Sequence, residues 1–180
     1  MPCTAADDCT SGHAAHASAS WKTRSDSLDF FNINDFSIMA TWLITGSSRG
    51  IGLELINQLL DLPSSQIPTI FAVNRGPTEA LNNLISQSAG RVISIVIPDI
   101  TKEESVAKGV AEVSKHLNGK GLDVLVNNAG IMPRSPGGVQ TMPAEQLLDV
   151  LNNNAVSAHV VTRMFLPLLE MGEGRKIVNM

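Results

Sequence analysis

Between residues 41 and 180 the chain alternates short apolar runs with longer stretches of helical period, and that alternation restricts the fold more than any other feature. The runs at 42–45, 69–73, 92–97 and 122–126 are close to continuous in apolar residues. A strand buried on one face alternates apolar and polar side chains; a continuous run is what burial on both faces requires. Each run is followed by a segment with one apolar stripe. Residues 51–62 place Ile51, Leu55, Ile56, Leu59 and Leu60 on one helical face, and Pro63 and Pro68 end that helix. Pro77 opens a helix with Leu81, Leu84 and Ile85 inward. Thr101 and Glu104 form a capping box ahead of a helix carrying Val106, Val110, Val113 and Leu117. Further helices are predicted over 143–151 and 155–171, the second kinked near its end by Pro167 and ending over Gly172 and Gly174. A fifth strand is predicted over 176–180.

Strands alternating with helices predict βαβ units, and right-handed crossovers assemble them into an α/β fold with a parallel sheet covered on both sides. The first strand-to-helix turn is the glycine-rich Thr45-Gly46-Ser47-Ser48-Arg49-Gly50-Ile51-Gly52. Glycine is required where backbone turns sharply, where it approaches a phosphate and where helix meets strand, and the helix amino end offers free amides and a positive dipole. A strand before this turn and a helix after it make the turn a candidate pyrophosphate site in a doubly wound, Rossmann-type sheet. The ligand would be a dinucleotide. An acidic residue at the end of the second strand would bind both ribose hydroxyls and repel a 2′-phosphate. Asn74-Arg75 stands there instead, and Arg49 adds a second cation, so the sequence favours NADP(H) over NAD(H). A merely solvated Arg75 is the plainer alternative.

These residues resemble the short-chain dehydrogenase/reductase family, whose hallmark is Thr-Gly-x-x-x-Gly-x-Gly. The resemblance covers 39–180 and is reinforced by Asn127-Asn128-Ala129-Gly130 after the fourth strand. In style the segment is nearest the C-factor-like and ketoreductase branch. The resemblance implies that Gly46, Ser48, Arg49, Gly50, Ile51 and Gly52 hold the diphosphate and that Asp99 and Ile100 contact the adenine. It implies that Asn127, Ala129 and Gly130 brace the sheet and line the adenosine and ribose side. Asn154 matches the helix asparagine that holds a water in the family's proton relay. Neighbouring Asn152 and Asn153 leave the register open, and the following Phe165-Leu-Pro-Leu-Leu169 favours Asn154. The implied activity is hydride transfer between nicotinamide and a small carbonyl or alcohol substrate. The spacing disfavours a Rossmann-like methyltransferase.

The family completes its site with a serine after the fifth strand and a Tyr-x-x-x-Lys on the next helix. This chain contains no tyrosine. The resemblance therefore implies a sheet truncated after about the fifth strand, with an exposed edge and helix face, and no turnover by this chain as written. It reads as a fragment of a longer enzyme, or else as a shortened, non-catalytic nucleotide-binding or regulatory protein. A complete protein would be a candidate homo-oligomer through its long helix.

Composition bounds the rest. A net charge of −4 argues against nucleic-acid binding, and no apolar run is long enough to span a membrane. Residues 1–38 lack either period and are expected to form a disordered extension ahead of a 39–180 domain. Without a secretory or mitochondrial pattern there, the expected location is cytoplasmic. The apolar patch at 28–38 is either a docking segment or sequence upstream of an initiator at Met39. Cys3 and Cys9 fall in that extension, as do His13 and His16, whose lack of a fixed scaffold predicts no metal site. His116 is expected on a helix surface and His159 in helix packing. The loop at 131–138, with Met132 and Met142 nearby, is either an apolar substrate wall or an ordinary Pro/Gly loop.

Overall fold

The computed structural model describes residues 39–132 and 137–180. The expectations for the 1–38 extension, its cysteines and its histidine pair lie outside the described residues, as does the middle of the 131–138 loop.

Five parallel strands form one sheet: β1 (Thr41–Thr45), β2 (Thr69–Asn74), β3 (Val92–Val96), β4 (Val124–Asn127) and β5 (Lys176–Asn179). Their order is β3-β2-β1-β4-β5. The crossovers are α1 (Gly50–Leu60), α2 (Glu79–Gln87), α3 (Glu103–Leu117) and the pair α4 (Ala144–Leu151) and α5 (Ser157–Glu170). This is the doubly wound, Rossmann-type arrangement expected from the sequence. The strand order reverses between β1 and β4, so the loops at their carboxyl ends diverge and leave a crevice.

The apolar runs are buried because each strand faces helices on both sides. Leu43, Phe71, Val73 and Leu125 pack with Val106, Val113 and Leu117 of α3 and Val161, Phe165 and Leu169 of α5. The alternate residues Ile44, Ile70 and Ala72 are equally buried, as are Ile56 and Leu59 of α1 and Leu81 of α2. At the other end of the sheet from the crevice, Asp123 is 6% exposed and accepts four hydrogen bonds. They come from the Thr41 N–H (2.7 Å) and hydroxyl (2.9 Å) and from the N–H groups of Glu173 (2.8 Å) and Gly174 (3.0 Å). One carboxylate thus joins the start of β1, the start of β4 and the turn before β5. Arg91 does similar work at the end of α1, where its guanidinium donates to the carbonyls of Leu59, Leu60 and Ile67. The last carbonyls of a helix have no partner within it, so the guanidinium fills that gap.

Several boundaries differ from the sequence expectation. α1 begins at Gly50, and its buried face is Gly52, Ile56 and Leu59; Ile51 is 65% exposed because the first turn opens onto the crevice. α2 starts at Glu79, because the Thr78 hydroxyl accepts the Leu81 N–H (3.3 Å). The predicted capping box does not form. α3 starts after Lys102 with no side-chain cap, since the Thr101 hydroxyl instead donates to the nearer carboxylate of Asp99 (2.7 Å). β4 begins at Val124, Leu122 donating its N–H to Leu168. α4 and α5 are joined by a π turn, Asn152–Val156, into one continuous rod. His159 is exposed and packs nothing inward, whereas the exposed His116 ring sits 6.3 Å from Phe71. Among the described residues no helix is long and apolar enough to cross a membrane, and no cluster of three His, Cys, Asp or Glu residues could hold a metal ion.

Candidate nucleotide-binding cleft

The crevice is built from the glycine turn outward. Gly46 has φ +70°, and a Cβ there would lie 2.8 Å from the Ala129 Cα. Close approach of these two loops is what the missing side chain permits. The contact is held by Thr45, whose hydroxyl oxygen accepts the N–H groups of Asn128 and Ala129 (3.0 Å each). The Asn128 amide answers by donating to the carbonyls of Thr45 (2.8 Å) and Gly46 (3.3 Å). Ser47 is fully buried, and both its N–H (3.1 Å) and its hydroxyl (2.8 Å) donate to the Val73 carbonyl, which ties the turn to β2. The first turn of α1 has neither a side-chain cap nor an acidic residue. Its amides and the positive end of its dipole are therefore left for an anion.

A cleft of about 760 Å³ lies over this turn. Of the residues singled out in the sequence, Gly46, Ser48, Arg49, Gly50, Ile51, Asn74, Arg75, Asp99, Ile100, Ala129 and Gly130 line it. Gly52 lies beneath, and a Cβ there would sit 2.5 Å from the Gly46 carbonyl oxygen. Asn127 does not line the cleft. Its amide donates to the Thr162 hydroxyl and to Asn179 (2.9 Å each), so it braces β4 against α5 and β5. Asn154 is likewise set back: its side chain accepts from the Ile131 N–H (2.8 Å) and donates to the Ile131 carbonyl (2.9 Å). The π turn presents Asn152 and Asn153 to the cleft instead. Asn128 and Lys102 also line the cleft and were missed as site residues; Met132, singled out in the sequence, lines it too. Met132 is 84% exposed.

Charge divides the lining. Arg49, from the turn after β1, and Arg75, just after β2, both line the cleft, as does Asn74 at the end of β2, which is 3% exposed. The Asn74 amide nitrogen donates to the Ala72 carbonyl and to the Ser94 hydroxyl (2.9 Å each), which fixes its orientation. Its oxygen is buried without a partner. A neutral acceptor at this place leaves the two guanidiniums uncompensated by a carboxylate on β2.

At the β3 end, hydrogen bonds from the Thr101 hydroxyl and then the Thr101 N–H hold the Asp99 carboxyl below its ordinary pKa. A depressed carboxyl stabilises the fold above its unfolded pKa and loses that contribution as pH falls through the lowered value, so the cleft keeps this charge at neutral pH. Thr101→Val should move the Asp99 titration upward in a carboxyl NMR experiment, with no change in the neutral-pH melting curve beyond about 0.5 kcal/mol, as for most exposed sites.

An all-parallel sheet with a glycine-rich turn and an open helix amino end at its switch point defines a Rossmann-type nucleotide-binding architecture. The chain belongs to the short chain dehydrogenase family, whose model matches residues 40–180. It is 35% identical over 136 residues to 17-beta-hydroxysteroid dehydrogenase type 6 of Bos taurus, covering 76% of this chain and 40% of that one. Its structure resembles the carbonyl reductase Sniffer of D. melanogaster (TM-score 0.70, 33% identity, 79% of this chain and 61% of that chain). It also resembles an NADPH-bound carbonyl reductase from chicken fatty liver (TM-score 0.66, 27% identity, 74% and 52%). The chain spans about half the length of the curated relatives it matches.

Proposed function

We propose that the chain supplies the nucleotide-binding portion of an NADP(H)-dependent oxidoreductase that interconverts a small carbonyl and its alcohol. The observation that carries the cofactor choice is that Arg49, Arg75 and a neutral Asn74 share the lining of the cleft. A guanidinium matches phosphate oxygens with a planar fork of donors, and nothing acidic at the end of β2 opposes a 2′-phosphate. In this reading Gly46, Ser48, Gly50 and Ile51 bound the diphosphate, with Gly52 setting the depth of the turn. Asp99 and Ile100 face the adenine, and Ala129 and Gly130 the ribose side. Asn154 acts through Ile131 as a positioning residue for the loop after β4. The bound nucleotide would supply or accept the hydride. The NADPH bound to the chicken carbonyl reductase supports NADPH, and the two carbonyl reductases support a carbonyl substrate.

The sequence contains no tyrosine, so these residues provide no general acid of the family's usual kind. A second reading is a nucleotide-binding protein without turnover of its own. Both readings predict binding by the isolated chain, and calorimetric titration with NADPH and NADH tests it. The expected order is NADPH tighter. Arg75→Asp should weaken NADPH binding by about 10- to 100-fold and leave NADH unchanged or tighter, since one strong charge-assisted pair is lost. Equal losses for both nucleotides would remove Arg75 from the 2′-phosphate site.

A further inference from the structure

The two cations sit on different crossovers: Arg49 closes the turn between β1 and α1, and Arg75 follows β2. Chain connectivity alone does not hold them in register. We infer that Thr78 is the positioning residue that does so, and that it thereby sets the preference for a 2′-phosphorylated nucleotide; this rests on the reading above that a dinucleotide occupies the cleft.

The Thr78 hydroxyl donates to the carbonyl of Ser48 (3.1 Å), the residue immediately before Arg49. Its oxygen also accepts the N–H of Leu81, so its proton is committed to the glycine turn and a lone pair to the cap of α2. On the other side of Arg75, the Val73 carbonyl receives both Ser47 bonds. Arg75 is therefore bracketed: the strand before it and the residue after its loop are both fastened to the turn that carries Arg49. Pro77 restricts the short path from Arg75 to Thr78 by fixing its own φ. Thr78 is half-buried and does not line the cleft, so it acts through the backbone and not by touching a ligand. With the backbone at the two arginines already held in register, only side-chain freedom is left to lose when one phosphate engages both guanidiniums, which is the advantage of preorganisation. A nucleotide without that phosphate has nothing to gain from the register.

The test is titration of the full 180-residue chain with NADPH and with NADH, alongside its melting temperature. Thr78→Val keeps the shape and removes both hydrogen bonds; Thr78→Ser keeps both. The expected result for Thr78→Val is an NADPH affinity lower by about tenfold with NADH changed less than about threefold, and for Thr78→Ser a wild-type ratio. Thr78→Gly, a tolerable helix cap without a hydroxyl, should repeat the valine result if the valine variant folds poorly. A lower melting temperature with an unchanged affinity ratio would mean that Thr78 only caps α2, and the inference would fall while the cleft reading stood. A wild-type chain that folds and binds neither nucleotide would overturn both.

Discussion

Gly52→Ala is expected to weaken NADPH binding by at least about 100-fold, a loss near 2.8 kcal/mol, while the chain still folds. A Cβ at this position would stand 2.5 Å from the carbonyl oxygen of Gly46 and 2.5 Å from the Asn128 amide nitrogen. Neither neighbour can step aside cheaply. The Gly46 oxygen is backbone, and the Asn128 amide is already engaged by the carbonyls of Thr45 and Gly46. Relief must come from lifting the turn off α1, which moves the very amides that face the anion site. Overpacking of this kind costs roughly 1–3 kcal/mol in stability, so calorimetry and a melting curve should be read together. Gly50→Ala is the contrast. No atom lies within 4 Å of its Cβ position, and the penalty is the left-handed φ of +59°, about 1–2 kcal/mol of strain without a collision. If Gly52→Ala binds as well as the parent, the clamp between Gly46 and Asn128 does not shape the site.

Asp123→Ala is expected to remove roughly 3 kcal/mol of folding stability, because truncation takes away one buried acceptor that serves four part-buried hydrogen bonds. The carboxylate's four bonds come from Thr41 and from the adjacent Glu173 and Gly174, so the loss is felt at two points far apart in the chain. Tight packing of Gly121 and Gly172 around the same junction leaves little room for water to replace it. Asp123→Asn, which keeps an acceptor, should lose less than half as much. Denaturant unfolding followed by far-UV circular dichroism measures both. A change below about 1 kcal/mol for the alanine variant, the size of an ordinary surface substitution, would show that the junction is held by its backbone alone. Because Asp123 lies away from the cleft, nucleotide affinity of the folded fraction should be unaffected.

The strands and the glycine turn were legible in the sequence because they depend on near neighbours: an apolar run, a helical stripe, a glycine where backbone must bend. The parallel order followed from connectivity. What escaped were choices between partners. Thr101 had an N-cap role open to it and an Asp99 carboxylate two residues away, and the charged acceptor won. Asn127 and Asn128 are adjacent and chemically identical, yet strand alternation turns one toward Thr162 and Asn179 and the other toward the glycine turn. No spacing rule distinguishes them without the strand ends in place. Asp123 and Arg91 draw their partners from residues far along the chain, and nothing local announces that. Ile51 satisfied the helical stripe but lies in the turn where that stripe leaves the core.

The π turn at Asn152–Val156 has one further consequence. A turn of this kind holds one residue more than a regular one, which rotates everything after it by about 100°. The same extra residue therefore sets the phase of Val160, Phe165 and Leu168 against the sheet and the outward aim of Asn152 and Asn153. The lining of the cleft and the geometry of the core are geared to a single insertion, so a change in one cannot drift free of the other.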